Sequence, residues 1–436
     1  MAVPSGARLR FGLLMFRSIL RGHALLGDTS AAILARNPNT EPYPLYERVR
    51  AQGEISRSRL RMYATASHSV VNSILRDQRF GVRTTDDLSR ETFQGAGAGH
   101  GDAVHPIQES FLSLDPPTHT RLRKMVSPWF SPKALRLRSD RIEEVVNGFL
   151  DELGDREEFD LIDDFAVRVP VQVICDLLGV PGEEYPRFIP WSAILGASLD
   201  DIRTMTEFRR LRAALVEMAN YFTDLIEHRR AEPGDDLISE LVAAGDTDPA
   251  VLHKDLLAST ELLLVAGFET TVNLIGNDVL ALLRNPDVLA WFVDHPDRAD
   301  DLVEEVLRHD PPVQFTMRLA HEPLDLAGAH FRRDDPILLL LAGANRDPAV
   351  FGSPGTFDPT RANNRDHLAF SAGVHYCLGA GLARIEAAVA LRALFTRYPN
   401  LALAGKPRRR HSRNINGMLH LPVRGTAVRR SVTVNH

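Results

Sequence analysis

The segment His253–Arg284 constrains this chain more than any other. Helical periodicity holds there for about thirty residues, well beyond the usual globular helix, which places it at the centre of a fold. Its middle reads Ala266-Gly267-Phe268-Glu269-Thr270-Thr271, after the apolar run Leu262-Leu263-Leu264-Val265. A glycine inside a helix costs roughly 1 kcal/mol relative to alanine. An acid beside an alcohol is equally out of place in an apolar stretch. Such breaks of local rule concentrate at functional sites. Four and eight residues before Thr270 lie Ala266 and Leu262, with Val265 on the same broad face, so these are expected to look into a pocket.

Helical patterns elsewhere cover Pro44–Ala51, Ala66–Arg76, Pro117–Phe130, Arg138–Leu153, Ala166–Leu178 and Glu183–Ile194. They continue over Phe208–Arg230, Asp236–Ala244, Pro286–Asp294, Asp297–His309 and Ala380–Tyr398. Strand-like runs are short: Ile55–Arg59, Met62–Thr65, Leu324–Leu326, Ile337–Leu341 and Met418–Pro422. No period of about 20–50 residues repeats, which excludes a solenoid. The fold class read from this is mainly α, with a smaller β part (α+β). We expect one domain over residues 31–436, behind an N-terminal tail or helix at residues 1–30. Residues 84–112, with the run Gly95-Ala96-Gly97-Ala98-Gly99, and residues 195–206 read as irregular segments, and loops that long are often lids.

The 436 residues are 44% hydrophobic and 25% charged with a net charge of −6, which argues against nucleic-acid binding as the main role. No run of about eighteen apolar residues occurs, so no transmembrane segment is expected. With two cysteines a disulfide framework is not expected, and a cytoplasmic location is. The first 27 residues lack Asp and Glu and align Leu9, Leu13, Phe16 and Leu20 beside Arg10, Arg17 and Arg21. That pattern suits a membrane-surface helix or a transit peptide, but the favoured reading is an ordinary helix lying on the body.

Cys377 lies in Phe370-Ser371-Ala372-Gly373-Val374-His375-Tyr376-Cys377-Leu378-Gly379, just before a helix. A cysteine so placed is expected to have a lowered pKa from the helix N-terminus, and glycines leave room for something flat to approach. The pattern Phe-x-x-Gly-x-His-x-Cys-x-Gly resembles the haem-binding signature of cytochrome P450, with His375 where the family more often has Arg. Ala-Gly-x-Glu-Thr resembles that family's oxygen-activating motif. The segment 115–123 resembles its propionate-binding helix, and Glu305-Val306-Leu307-Arg308 its Glu-x-x-Arg.

The resemblance implies a triangular helical body with a β-rich side, and haem b ligated by Cys377 and bordered by Phe370, Gly373, Gly379, Ala266 and Gly267. It implies His119, Arg123, Arg318 and His375 as propionate partners, and Thr270 with Glu269 as a proton relay to oxygen. Glu305, Arg308 and Arg361 would form a structural ionic cluster. Val313, Phe315, Ile415 and Met418 would join Leu262 and Val265 around a lipophilic small-molecule substrate. The reaction implied is insertion of one atom of O2, with electrons from a ferredoxin and its reductase. Lys124, Arg121 and Arg384, near or beside the cysteine loop, are candidates for a basic docking patch for that donor. A peroxide-using or dehydrating enzyme on the same scaffold, and a haem-based ligand-binding protein without turnover, are the rivals. Cys175, in an apolar helix, reads as core.

Overall fold

The computed structural model describes residues 6–83, 106–107, 109–198 and 204–428. The Gly95–Gly101 run, most of the first irregular segment and residues 199–203 of the second lie outside the described residues. What is described of the second segment is helical except for the extended N-cap Thr204, because the helix Tyr185–Ser198 runs four residues past the expected end at Ile194 and the next begins at Met205, three residues before the expected start at Phe208.

The central helix spans His253–Arg284, its 32 residues matching the expected bounds. Most of its side chains are buried, and Ala266, Gly267 and Thr270 form a less covered stretch at mid-length. Against it pack the helices Arg168–Leu178, Met205–Ala231, Ala299–His309 and Ala380–Arg397. One continuous apolar core joins these elements, with Leu264, Val265, Ile275, Leu302, Leu391 and Leu394 fully or almost fully buried. Cys175 is part of that core, and burial pushes its thiol pKa far up. The helix before it begins at Pro132, six residues earlier than expected, with Ser131 Oγ accepting from Ala134 N–H and proline at the first position.

The β side is a five-stranded sheet in the order Ser56–Arg57, Tyr63–Thr65, Pro336–Leu339, Thr316–Ala320, Phe80–Gly81. Tyr63–Thr65 runs parallel to Pro336–Leu339 and the other pairings are antiparallel. Thr316–Ala320 carries Arg318 towards the helical body. Three smaller sheets complete the β side of the described residues, and one pairs Pro422–Arg424 with Glu158–Asp160.

Gly6–Leu25 is helical, Leu20 is buried, and the next helix, Thr29–Ala35, is capped by the Asp28 carboxylate accepting from Ala31 N–H at 2.9 Å. Among the described residues no helix is long and apolar enough to cross a membrane.

Glu305, Arg308 and Arg361 meet beneath the centre. Arg308 donates to both carboxylate oxygens of Glu305 at 2.7 and 2.6 Å, and neither side chain is exposed. Arg361 Nε lies 3.8 Å from Glu305. Arg308 also donates to the carbonyls of Asn345, Pro354 and Thr356, which satisfies a charge that burial would otherwise penalise.

Candidate active site

A cavity of about 450 Å³ separates the mid-section of the central helix from the cysteine loop. Leu262, Leu263, Ala266, Gly267 and Thr270 border it from the helix, and Val313 and Arg318 from the strand side. Four expected pocket residues lie elsewhere. Val265 is core, because it sits roughly 140° around the helix from Thr270, whereas Leu263 sits about 20° away and takes the cavity position. Phe315 packs against the Tyr43 and Tyr46 cluster on the other side of the chain that leads into the strand. Ile415 pairs with Val313 but borders a small surface cleft with Arg410 and Ser412. Met418 is buried in the main core.

The cysteine loop is built by backbone bonds. Cys377 N–H donates to Phe370 O at 2.9 Å and Tyr376 N–H to Gly373 O at 3.1 Å, folding the loop back on itself. Gly373 has φ +68°, and a Cβ there would stand 2.1 Å from the carbonyl oxygen of Leu75. Its role is therefore conformational: it lets the loop lie against the end of the helix His68–Arg76 and does not itself line the cavity. Cys377, Phe370 and Gly379 do border the cavity, and a Cβ at Gly379 would meet nothing within 4 Å.

The thiol departs from expectation. Burial pushes the Cys377 pKa up, and the opposing Gly379 N–H, Arg123 and Arg384 do not overcome it. Helix position alone does not deliver a thiolate, whereas a coordinated metal ion deprotonates a thiol outright.

Four cationic or protonatable groups converge beside the loop. The rings of His119 and His375 are in tilted contact, with centroids 4.4 Å apart, and Arg123 and Arg318 flank them on the cavity wall. Both ring nitrogens of His119 and Nε2 of His375 are buried without a hydrogen-bond partner. Burial, together with Arg318, His119 and Arg123, drives the His375 pKa down to about 3. Burial likewise brings Arg318 down to about 10, against the pull of Asp115. Orphaned donors gathered around crowded cations call for a buried anion, and a pair of carboxylates fits them. Haem fits this site: Cys377 would hold its iron, and these four residues its propionates.

Thr270 borders the cavity, and its hydroxyl donates to Ala266 O at 3.0 Å, leaving its lone pairs available. Glu269 turns away from the cavity. It is buried, ion-paired to Arg410, and accepts from Asn273 Nδ2 at 3.3 Å. Glu386, which sequence reasoning passed over, is buried at the cavity margin with its pKa pushed up to about 8 by burial. A lone acid inside the apolar run Ile385-Glu386-Ala387-Ala388-Val389 is the signal that could have found it. Arg384, expected on a docking patch, is instead committed to Glu304 at 2.5 Å.

Residues 299–423 match the family model for cytochrome P450. The chain is 37% identical over 375 residues to the cytochrome P450 monooxygenase PikC of Streptomyces venezuelae, covering 84% of this chain and 86% of that one. It is 42% identical over 314 residues to 6-deoxyerythronolide B hydroxylase of Saccharopolyspora erythraea, covering 71% and 76%. The ligand-free structure of CYP164A2 from Mycobacterium smegmatis superposes with a TM-score of 0.81 at 38% identity, covering 91% of this chain and 99% of that one. Likeness of that extent in both sequence and fold, around a cavity whose lining fits haem, means that the chain belongs to the cytochrome P450 family of haem b-dependent oxidoreductases.

Proposed function

We propose that the protein is a monooxygenase that inserts one atom of O2 into a lipophilic small molecule, by hydroxylation or epoxidation. The carrying observation is the cavity that has Cys377 on one wall and Thr270 among apolar residues on the other. Haem supplies the redox-active iron and the chemistry of oxygen activation when bound through Cys377. The chain supplies position and protons. Leu262, Leu263, Ala266 and Val313 exclude water and favour an apolar substrate, and His119, Arg123, Arg318 and His375 fix the porphyrin by its carboxylates. Thr270 Oγ1, once its hydroxyl leaves Ala266 O, can hand its proton to a group in the cavity, and Glu269, after leaving Arg410 and taking a proton from solvent, would replace it. The Glu269-Thr270 pair favours this reading over a peroxide-using enzyme on the same scaffold.

Two electrons per turnover come from a ferredoxin and its reductase in the cytoplasm, with Lys124 and Arg121 as the remaining basic contacts for the donor. One relative is named for hydroxylating 6-deoxyerythronolide B, and the apolar lining here suits a substrate of comparable lipophilicity. The test is a library of lipophilic compounds screened for a shift of the ferric absorbance band. Each hit is then turned over with ferredoxin, reductase and isotopically labelled O2. One labelled oxygen atom in the product supports the proposal, and tight binders that are never oxygenated contradict it.

A further inference from the structure

Glu304 stands beside Glu305 on the helix Ala299–His309 but takes no part in the Glu305-Arg308 pair. Its buried carboxylate accepts from Arg384 through Oε1 at 2.5 Å and Oε2 at 3.2 Å, and Oε2 also meets His367 Nε2 at 2.9 Å. Ala369 N–H donates to His367 Nδ1 at 3.2 Å, which fixes the tautomer: Nε2 carries the proton and donates it to Glu304. His367 is therefore a neutral donor, in keeping with a pKa that burial lowers. Burial alone would push the Glu304 carboxyl up, yet the bonds from His367 and Arg384 hold it down at about 2.

From this cluster a short path leads to the sulfur. The Arg384 guanidinium lies 4.5 Å over the Phe370 ring, and Phe370 O accepts from Cys377 N–H. Arg384 Nη1 lies 3.4 Å from the Tyr376 hydroxyl, one residue before the cysteine. The positive charge of Arg384 reaches Cys377 through space, alongside that of Arg123.

We propose that Glu304 and Arg384 form a paired charge that sets the electrostatic field at Cys377, and through it the reduction potential of the bound haem iron, with His367 as the residue that orients Glu304. The inference rests on haem ligation by Cys377. The step it governs is the one-electron reduction of ferric to ferrous haem, which adds a negative charge next to the sulfur. A more positive field favours the ferrous form and a more negative one the ferric.

The opposite signs of the two partners make this testable. In Glu304→Gln the Arg384 charge is unmasked, so the ferrous-to-ferric ratio at a fixed solution potential should rise roughly five- to tenfold. In Arg384→Gln the positive charge beside the loop is lost, and the ratio should fall by a similar factor. Arg384→Lys keeps the charge and should stay within about twofold of the parent. Potentials are measured by titration against redox dyes, and the carbon-monoxide spectrum of each variant reports whether thiolate ligation survives. Shifts of opposite sign with ligation intact carry the proposal. Shifts of the same sign, as simple loosening of the loop would give, overturn it, as do shifts under about twofold. Should Glu304→Gln fail to fold, the other two variants decide: a fall in Arg384→Gln with no change in Arg384→Lys supports the charge pair, and any other pattern refutes it. Loss of the thiolate spectrum in the parent would instead remove the ligation on which the inference rests.

Discussion

Glu269 and Thr270 are neighbours in sequence, yet their side chains leave the central helix in different directions. Thr270 borders the cavity, while Glu269 is buried against Arg410 and Asn273. Successive residues on a helix are about 100° apart, so an acid and an alcohol at adjacent positions reach two environments: one apolar and next to the substrate, the other polar and leading towards the surface cleft that Arg410 borders.

Thr270→Ala should leave haem binding unchanged and lower product formed per electron by about tenfold or more, with the missing electrons recovered as peroxide. Measuring product, peroxide and reductant consumption together checks this. An unchanged product-to-electron ratio would remove Thr270 from the chemistry.

The Glu305-Arg308 pair is fully buried, and the remaining Arg308 donors go to three backbone carbonyls. Glu305→Gln removes the charge partner but not the buried cation, so it should destabilise the fold by roughly 3–5 kcal/mol. Arg308→Lys loses the fork geometry and should cost nearly as much. Denaturant midpoints of the purified variants give the answer.

Gly373→Ala places a methyl group 2.1 Å from the Leu75 carbonyl at a φ of +68°. The backbone must move, so we expect a loss of roughly 2–4 kcal/mol and faster release of haem from the variant than from the parent. A Cβ at Gly379, by contrast, meets no protein atom within 4 Å, so Gly379→Ala should leave the stability of the haem-free fold nearly unchanged. Haem-transfer kinetics to an acceptor protein test the release, and denaturant midpoints of the haem-free variants separate the two.

The architecture was legible where the signal was long or chemically specific. The central helix could be bounded to the residue because its apolar pattern continues for nine turns (32 residues at 3.6 per turn). Cys377, Thr270 and Arg318 could be nominated from motif resemblance, and the structure places all three around one cavity. Pocket residues remote from the motifs were not legible. Ile415 and Met418 are apolar and close to the sheet, but which way a short irregular hairpin turns its side chains depends on partners distant in sequence. The strand Thr316–Ala320 was missed because five residues containing Arg318 carry little alternation; its place in the sheet comes from pairing with Pro336–Leu339. The raised thiol pKa was also hidden, because burial is set by the whole fold and helix position by only a few residues.

Burial and the neighbouring Arg346 drive the His309 pKa down to about 4. Arg346 Nη2 lies 3.2 Å from its Nδ1 and 3.1 Å from its Nε2, and because Arg346 can only donate, the nitrogen that accepts must be unprotonated and the ring neutral. The folded-state value lies below the ordinary value near 6.5, so the unfolded chain binds the extra proton first. Stability should therefore fall as pH drops from about 6.5 towards 4, and the fall should be shallower in His309→Asn. Urea midpoints at pH 7, 6 and 5 test this; parallel curves for the two proteins would contradict it.

The most direct measurement is the absorbance spectrum of the reduced, carbon-monoxide-treated protein beside that of Cys377→Ser. The parent should show the long-wavelength maximum of thiolate-ligated haem, and the variant should lose it. A parent without that maximum, or a variant that retains it, would contradict ligation of haem iron by Cys377.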